Sequence, residues 1–502
     1  MIFEKVTLLT SKEEFIEKIL IYIRLVEVIA ESKGFNIPLV SVPSEDMITE
    51  MRDMGLLDKS EEIKEFKKIT SVYYLRFLSA VSFYLSHKEL YGNQLDKLNN
   101  KKRILLQKQE LKSNKPRMVD FFAGAGGLSC GFTQAGFRVC FANDFEDVCV
   151  RTYRYNHPEL PANCVLKEDI RKIVDNIDDY VKEDIDIVVG GPPCQSFSSA
   201  NQRRIIDDPR NELYKYYIEA IKKICPKFVL MENVKGMLSV ANQVVEDYKA
   251  IRIEKNGRVY TYDVSYRLLN AMSFGVAQSR ERLIYLAVRD DVAYSKHVTP
   301  EVLFREIEKA CKNKPHYNLQ SALECIKPLD APRIKGMTEV DDEKTGMKIG
   351  FNEYDSCGNA YLSSINLGRN IQYTFNHKAR YCSDVNYEIF KRLEPGEDAT
   401  NPKIADIMPY ARRNNIFKDK YFKLYADRPC RTITAHLKMD CLSHIHPYQI
   451  RSLTPREAAR VQSFPDDYLF LGAYLKTYMQ IGNAVPVLMA NQIANVIKRY
   501  TV

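Results

Sequence analysis

The sequence predicts an α/β fold, preceded by a helical segment and interrupted by an irregular one. From about Met118 to Val288, short apolar runs alternate with glycine-rich turns and amphipathic stretches, the pattern of alternating strands and helices. The first 115 residues instead place apolar side chains such as Phe15, Ile19 and Ile23 at helical spacing. Between about 300 and 449 few long periodic elements occur.

Length and composition are those of a globular protein with more than one domain. The chain has 502 residues, of which 45% are hydrophobic and 27% charged, and we expect no membrane span. Its 12 cysteines follow no repeated spacing and no leader pattern precedes them, so we expect a reducing, cytoplasmic setting. The net charge of +8 is compatible with a polyanionic partner without demonstrating one.

The amino-terminal extension is predicted to be mainly helical. Ser11-Lys-Glu-Glu14 has the pattern of a capping box, and a second apolar stretch runs from Val72 to Leu85. A polar, basic run from Lys101 to Pro116 is typical of a helix end followed by a linker.

The first strand of the α/β region leads into a glycine-rich turn. Residues 118–122 form a short predicted strand, Gly124 and Gly126 follow, and a helix is predicted over 128–135. Such a turn lets the backbone approach a ligand closely. The next strand ends at Asp144, at the spacing where an acidic side chain meets ribose hydroxyls. Turns of this kind bind dinucleotides or S-adenosylmethionine, and some bind nothing.

Two later strands are followed by reactive side chains. Cys194 comes after the apolar run Ile185–Val189, and Glu232 comes after Lys227–Met231. Because ligands bind beyond the carboxyl ends of parallel strands, we expect both side chains in one crevice. Taken alone, each has an ordinary alternative, a buried structural cysteine and a helix-capping glutamate.

Alternating polar residues precede another strand. Gln278, Arg280 and Arg282 share a face if this segment is extended. Two arginines on one face typically meet anions, although a solvated strand edge would also explain them.

These residues belong to an ordered set of motifs. The set is Phe122-Ala-Gly-Ala-Gly-Gly127, Pro192-Pro-Cys-Gln195, Glu232-Asn-Val234, Gln278-Ser-Arg-Glu-Arg282, Thr454-Pro-Arg-Glu-Ala-Ala-Arg460 and Gly482-Asn-Ala-Val-Pro486. In this order it resembles the motifs of DNA (cytosine-5)-methyltransferases of prokaryotic restriction-modification systems. The resemblance implies a Rossmann-like, S-adenosylmethionine-dependent methyltransferase domain with an inserted, irregular target recognition domain.

The resemblance also implies a division of the chain. Residues 1–115 form the helical extension of unknown role, 116–299 the first part of the catalytic and cofactor-binding domain, 300–449 the target recognition domain, and 450–502 the return to the catalytic domain. The final helix would fold back against the glycine-rich turn. The extension could be a scaffold, an extra DNA contact or a docking surface.

The implied reaction is transfer of a methyl group from S-adenosylmethionine to carbon 5 of a cytosine flipped out of double-stranded DNA. Cys194 would attack carbon 6 as a thiolate, and Glu232 would protonate or hydrogen-bond the ring nitrogen. Arg280 and Arg282 would hold the base and the carboxylate and favour the thiolate. The implied cofactor residues are Phe122, Gly124, Gly126, Asp144, Phe145, Asp169, Pro193 and Asn483.

Partners and alternatives complete the prediction. The resemblance implies a monomer on DNA in a prokaryotic cytoplasm, associated with the nucleoid when bound, with a cognate restriction endonuclease as a second partner. Seven basic residues of the inserted segment are candidate DNA contacts: Arg369, Lys378, Arg380, Arg412, Arg413, Lys418 and Lys420. We expect no metal site.

The alternatives are a transfer-RNA cytosine-5 methyltransferase, whose typical Cys-Phe-Thr tripeptide is missing here, a non-catalytic module that binds DNA and cofactor, and, remotely, a nicotinamide-linked dehydrogenase.

Overall fold

The amino-terminal region is helical, which confirms the sequence prediction. The structure, a computed structural model, describes residues 12–193, 212–356, 358–409 and 420–501. The helices described before the sheet are α1 (Lys12–Ser32), α2 (Glu45–Asp53), α3 (Ile63–Thr70), α4 (Tyr74–Ser86) and α5 (Asn100–Leu111). Ser44 caps α2 by accepting from the N–H of Met47. The capping box predicted at Ser11 lies outside the described residues.

A sheet of seven strands forms the centre of the next region. The strands along the chain are β1 (Arg117–Phe121), β2 (Arg138–Asp144), β3 (Val165–Lys167), β4 (Ile187–Gly190), β5 (Phe228–Val234), β6 (Ile253–Lys255), β7 (Arg258–Tyr260), β8 (Tyr262–Asn270) and β9 (Glu281–Arg289). Strands β6 and β7 form a separate hairpin, and the others are ordered β3-β2-β1-β4-β5-β9-β8.

Strand direction decides which residues meet at the ligand-binding edge. Strands β1 to β5 are parallel to one another, whereas β9 runs antiparallel to both β5 and β8. The first residues of β9 therefore lie at the same edge as the last residues of β5. This order confirms the predicted Rossmann-like α/β fold, but the reversal of β9 was not predicted.

Helices cover both faces of this sheet. They are α6 (Gly127–Gln134), α7 (Asp147–Asn156), α8 (Ile170–Asp175), α9 (Ile177–Tyr180), α10 (Glu212–Ile224), α11 (Ala241–Lys249), α12 (Asp290–Lys296) and α13 (Pro300–Cys311). Successive residues of β1 show why two layers are needed. Met118 packs in one apolar cluster and Val119 in another, because side chains alternate along a strand.

The inserted segment is built from short elements. They are α14 (Leu319–Leu323), β10 (Gly346–Phe351), α15 (Ala360–Ile365), β11 (Tyr373–Lys378) and α16 (Asp384–Arg392), with β10 and β11 paired as an antiparallel hairpin. Helix α13, which was assigned to this segment from the sequence, packs instead against β8. Tyr500 also donates to Glu306 on α13 at 2.6 Å. By its packing, α13 belongs with the sheet.

The last three helices return to the sheet region. They are α17 (Pro455–Val461), α18 (Tyr474–Asn483) and α19 (Val487–Lys498). The predicted capping box at Thr454 is present, since Thr454 Oγ1 accepts from the N–H of Glu457 and Glu457 accepts from the N–H of Thr454. Among the described helices, none has the length and apolar character needed to cross a membrane.

Candidate active site

A cavity of about 670 Å³ opens at the carboxyl edge of the sheet. Its size falls within the range of about 300–1,000 Å³ typical of small-molecule sites. Most residues selected from the sequence line it: Phe122, Gly124, Asp144, Phe145, Asp169, Pro193, Glu232, Arg280, Arg282 and Asn483. Of the remaining two, Gly126 does not line the cavity, and Cys194 lies outside the described residues.

The glycine-rich turn after β1 forms one wall. Phe122 and Gly124 both have φ of +55°, and a Cβ at Gly124 would meet open space. Gly126 has φ of +90°, and a Cβ there would lie 2.8 Å from the Tyr468 hydroxyl and 3.0 Å from the Tyr153 ring. The structure therefore gives Gly126 a packing role, in which it lets the turn approach two buried tyrosines.

Asp144, at the end of β2, holds this turn in place. Its Oδ2 accepts from the N–H of Gly124 and its Oδ1 from the N–H of Glu146, each at 2.8 Å. Burial raises the pKa of Asp144, and the two backbone hydrogen bonds oppose that shift. Because each carboxylate oxygen can accept more than one hydrogen bond, Asp144 can also accept from a ligand hydroxyl.

Asp169 and Phe145 lie on the same side of the cavity. Asp169 accepts from the guanidinium of Arg171 at 2.6 Å, and this hydrogen bond lowers the pKa of Asp169. The ring of Phe145 is 71% exposed at the cavity. An exposed ring beside two acceptors suits a flat heteroaromatic group that carries donors.

The chain that leaves β4 runs along the end of β5. Asn233 donates from Nδ2 to the carbonyl of Pro192 at 3.0 Å. A Cβ at Gly191 would lie 3.0 Å from Glu232 Oε2, so a larger residue would crowd that carboxylate. The residues just before Cys194 are thus held against the strand that bears Glu232.

Glu232 and Arg282 form an ion pair inside the cavity. Arg282 Nε lies 2.8 Å from Glu232 Oε1, and only 13% and 12% of the two side chains are exposed. The pair forms because β9 is antiparallel to β5, which sets Arg282 opposite Val234. Burial lowers the pKa of Arg282, and Glu232 opposes that shift.

Arg280 is used differently from Arg282. It is almost fully buried and donates to the carbonyls of Ile433 at 2.7 Å, Ala484 at 3.0 Å and Gly482 at 3.1 Å. Burial lowers the pKa of Arg280, with the charge of Arg282 acting in the same direction. Arg280 lines the cavity, but its hydrogen bonds within the described chain join backbone segments and do not hold a carboxylate.

The carboxyl-terminal segment supplies the opposite wall. A Cβ at Gly482 would lie 2.1 Å from the carbonyl carbon of Thr434, and a Cβ at Gly127 would lie 2.5 Å from the Val485 oxygen. Asn491 on α19 donates to the carbonyl of Gly131 on α6 at 3.2 Å. As the resemblance implies, the last helix packs against the glycine-rich turn, and Asn483 faces the cavity from there.

Sequence reasoning missed Asn143 and Asn233. Asn143 lines the cavity, and within the described part of the chain its buried Oδ1 has no hydrogen-bond partner. Its Nδ2 donates to the carbonyl of Glu168 at 3.0 Å. Each asparagine stands next to a carboxylate that the sequence did select, Asp144 or Glu232, at the end of a strand. That position is the signal that could have identified it.

Three of the candidate DNA contacts, Arg369, Lys378 and Arg380, are engaged within the protein, whereas Arg412, Arg413 and Lys418 lie outside the described residues. Arg369 pairs with Asp467 at 2.7 Å, and Lys378 pairs with Asp341 at 3.0 Å. Arg380 donates to the carbonyl of Leu437 at 2.9 Å. Lys378 and Arg380 therefore join parts of the segment to each other, and Arg369 joins it to the carboxyl-terminal part of the chain. Lys420 pairs with Asp440 at 3.4 Å.

The strand order, with one reversed strand, and a ligand-sized cavity beside a glycine-rich turn define a Rossmann-like α/β protein with a small-molecule site. Among solved structures, a protein of E. coli assigned as a DNA modification methyltransferase encoded within a prophage shares this fold, with a TM-score of 0.54 and 23% identity over 77% of this chain and 99% of that chain.

Sequence comparison gives the family. The family model for C-5 cytosine-specific DNA methylase matches residues 116–499, and the chain belongs to that family. The type II methyltransferase M.AgeI of Thalassovita gelatinovora is 30% identical over 76% of this chain and 99% of its own length. The type II methyltransferase M.FnuDI of Fusobacterium nucleatum is 32% identical over 76% of this chain and 94% of its own length. The protein is thus a DNA (cytosine-5) methyltransferase.

Proposed function

We propose that the cavity binds S-adenosylmethionine and that Cys194, Glu232 and Arg282 methylate one cytosine, flipped out of a specific duplex sequence. The observation that carries this proposal is the Glu232–Arg282 pair inside the cavity. It stands beside Gly191, three residues before Cys194.

The residues present fit the cofactor. Asp144 and Asp169 offer carboxylate oxygens, and the buried Asn143 Oδ1 offers an acceptor that nothing else in the described chain uses. Gly124 leaves room for close approach, and Phe145 offers a ring face. When bound, S-adenosylmethionine supplies the methyl group on a sulfonium sulfur. The protein's residues orient it and exclude water.

The protein's own residues carry the rest of the chemistry. The Cys194 thiolate gives an electron pair to carbon 6 of cytosine, and the electrons of the carbon 5–carbon 6 double bond then make carbon 5 nucleophilic. Glu232 gives a proton or hydrogen bond to the ring nitrogen, and Arg282 holds the Glu232 carboxyl group in position. After carbon 5 is methylated, a base takes its proton, the carbon–sulfur bond breaks and the thiolate leaves.

A trapping experiment tests this proposal. Bisulfite sequencing of DNA from cells that express the chain would first define the target. A duplex with 5-fluorocytosine at that position should then form a covalent adduct with wild type and cofactor, because carbon 5 has no proton to lose. Cys194→Ser should form none, while Cys164→Ser, a partly exposed cysteine outside the cavity, should match wild type. No bisulfite signal and no adduct with any duplex tested would overturn the proposal.

The biological setting follows from the relatives. Both relatives described above are named type II methyltransferases. We infer a role in protecting host DNA beside a cognate restriction endonuclease, in a prokaryotic cytoplasm, with one chain acting on DNA. Transfer of label to transfer RNA but not to DNA would instead favour the RNA enzyme, and cofactor binding without transfer would favour a non-catalytic module.

A further inference from the structure

Glu17, in the helical extension, contacts three segments that are distant in the chain. Its Oε2 lies 3.1 Å from Arg151 NH1 on α7, and its Oε1 lies 3.0 Å from Lys348 Nζ on β10. The same Oε1 accepts from the N–H of Gly472 at 3.2 Å. Only 15% of the Glu17 side chain is exposed, so solvent screens these interactions less than it would at the surface.

Each segment that Glu17 contacts leads to the cavity or to the inserted segment. Helix α7 carries Cys149, which lines the cavity. Gly472 stands two residues before α18, whose end carries Asn483 into the cavity. Lys348 belongs to the β10–β11 hairpin of the inserted segment.

An apolar core reinforces this junction. Buried residues of α1 to α4 cluster with Ile349 and Phe375 of the hairpin and with Leu471. Arg24 on α1 also donates to the carbonyl of Ile349 at 3.1 Å. The apolar face of α1 is therefore covered by this chain's own hairpin, which makes that face unsuitable for docking another protein.

We propose that Glu17 is a positioning residue for methyl transfer. By joining α7, β10 and the approach to α18, it sets the orientation of the inserted segment relative to the cavity. The helical extension is then a brace that the enzyme needs to present DNA to its active site. This inference rests on the proposed function, because it assigns DNA presentation to the inserted segment.

Glu17→Gln is the most direct variant. Glutamine keeps an oxygen for the Gly472 N–H but loses the charge that attracts Arg151 and Lys348. Since a displacement far from the chemistry can cost up to about 100-fold in rate, we expect KM for the target duplex to rise about tenfold. Affinity for S-adenosylhomocysteine, measured by calorimetry, should stay within about twofold of wild type because the cavity residues are untouched.

The control is Glu31→Gln. Glu31 pairs with Arg24 of the same helix at 3.1 Å and, among the described residues, makes no ion pair with the other segments. The Glu31→Gln variant should have the KM, cofactor affinity and Tm of wild type. Lys348→Met should reproduce the rise in KM. The double variant Glu17→Gln/Lys348→Met should be no worse than the more severe single variant, because Glu17→Gln already removes the ion pair that Lys348→Met removes.

The outcomes separate this inference from the proposed function. Wild type that forms no 5-fluorocytosine adduct would reject the function itself. Wild type that methylates, with Glu17→Gln and Lys348→Met both at wild-type KM, would reject only the brace. A rise in KM with comparable losses of cofactor affinity and of Tm in both variants would also reject the brace, because it would show general destabilisation.

Discussion

Glu232 enters the cavity as half of an ion pair, and that pairing decides what its replacement should do. Glu232→Gln keeps the shape of the side chain but removes the charge that holds Arg282 and the group that can protonate the base. We expect methylation to slow by about 10²–10⁴-fold, the usual contribution of a general acid or base. Cofactor affinity should change little.

The matched control for this variant is Glu281→Gln. Glu281 neighbours Arg282 in β9 but pairs with Lys235 at the surface, at 2.9 Å. Single-turnover kinetics with labelled cofactor should show wild-type rates for it. A Glu232→Gln enzyme that also turns over at the wild-type rate would remove Glu232 from the chemistry.

The Arg280 guanidinium donates to three carbonyls from two parts of the chain. A lysine ammonium is a compact charge on a shorter side chain and cannot reach all three. We expect Arg280→Lys to leave at least one buried carbonyl unpaired, at a cost of about 1–3 kcal/mol for each. Urea unfolding should show this loss together with weaker binding of S-adenosylhomocysteine, because Gly482 and Ala484 line the cavity. Unchanged stability would mean that the three hydrogen bonds are dispensable.

At the scale of elements, β1, α6 and α7 meet around a buried carboxyl group. Ser129 donates to Asp120 at 2.5 Å, Tyr153 donates to Ser129 at 2.6 Å, and burial raises the pKa of Asp120 to about 7. The folded protein thus holds this proton more tightly than the unfolded chain. The stability it contributes is fully present below the unfolded pKa and is lost as pH rises through 7.

Asp120→Asn removes this titration. From about pH 5 to pH 8, the unfolding free energy of wild type should fall by about 2–3 kcal/mol relative to the variant, since one pKa unit is worth about 1.4 kcal/mol. Denaturant titrations across this range would measure the difference. The exposed Asp178→Asn should follow wild type at every pH. If the difference in unfolding free energy between wild type and Asp120→Asn stayed constant across this pH range, Asp120 would not titrate within it.

Helix α6 begins so close to the chain that leads into α19 that its first residue must lack a side chain. A Cβ at Gly127 would lie 2.5 Å from the Val485 oxygen, so Gly127→Ala must displace the chain that leads to α19. We expect a Tm several degrees lower and weaker cofactor binding. Gly350→Ala in β10, where the nearest atom would be 3.6 Å away, is the control and should cost less than about 1 kcal/mol. Equal effects of both substitutions would contradict the close-packing argument.

Local sequence patterns were enough to predict the helices and strands of the sheet region. Contacts between residues distant in the sequence could not be predicted from those patterns. The alternation around β1, β2, β4 and β5 indicated the sheet, and its carboxyl edge followed from general rules for parallel strands. The reversed β9 could not be deduced, because an apolar run carries no direction. Arg280 and Gly126 were selected by motif, but their packing roles depend on Gly482 and Tyr468, which lie far away in the sequence.

The whole molecule has a shared core that crosses the boundaries expected from the sequence. The family model begins at residue 116, so the helical extension lies outside it. Yet Tyr22, Phe77 and other residues of the extension cluster with Tyr373 and Leu469. The extension and the inserted segment therefore stabilise each other, and neither is expected to keep its structure alone.

Deleting residues 1–111 tests this dependence. The remaining chain, 112–502, would expose the apolar side chains of Ile349, Tyr373, Phe375 and Leu469, at about 25 cal/mol for each Å² uncovered. We expect it to aggregate on expression, and we expect co-expression of fragment 1–111 to return it to solution as a complex, as gel filtration would show. A soluble, monomeric 112–502 that methylates DNA at the wild-type rate would show that the extension is a separate module.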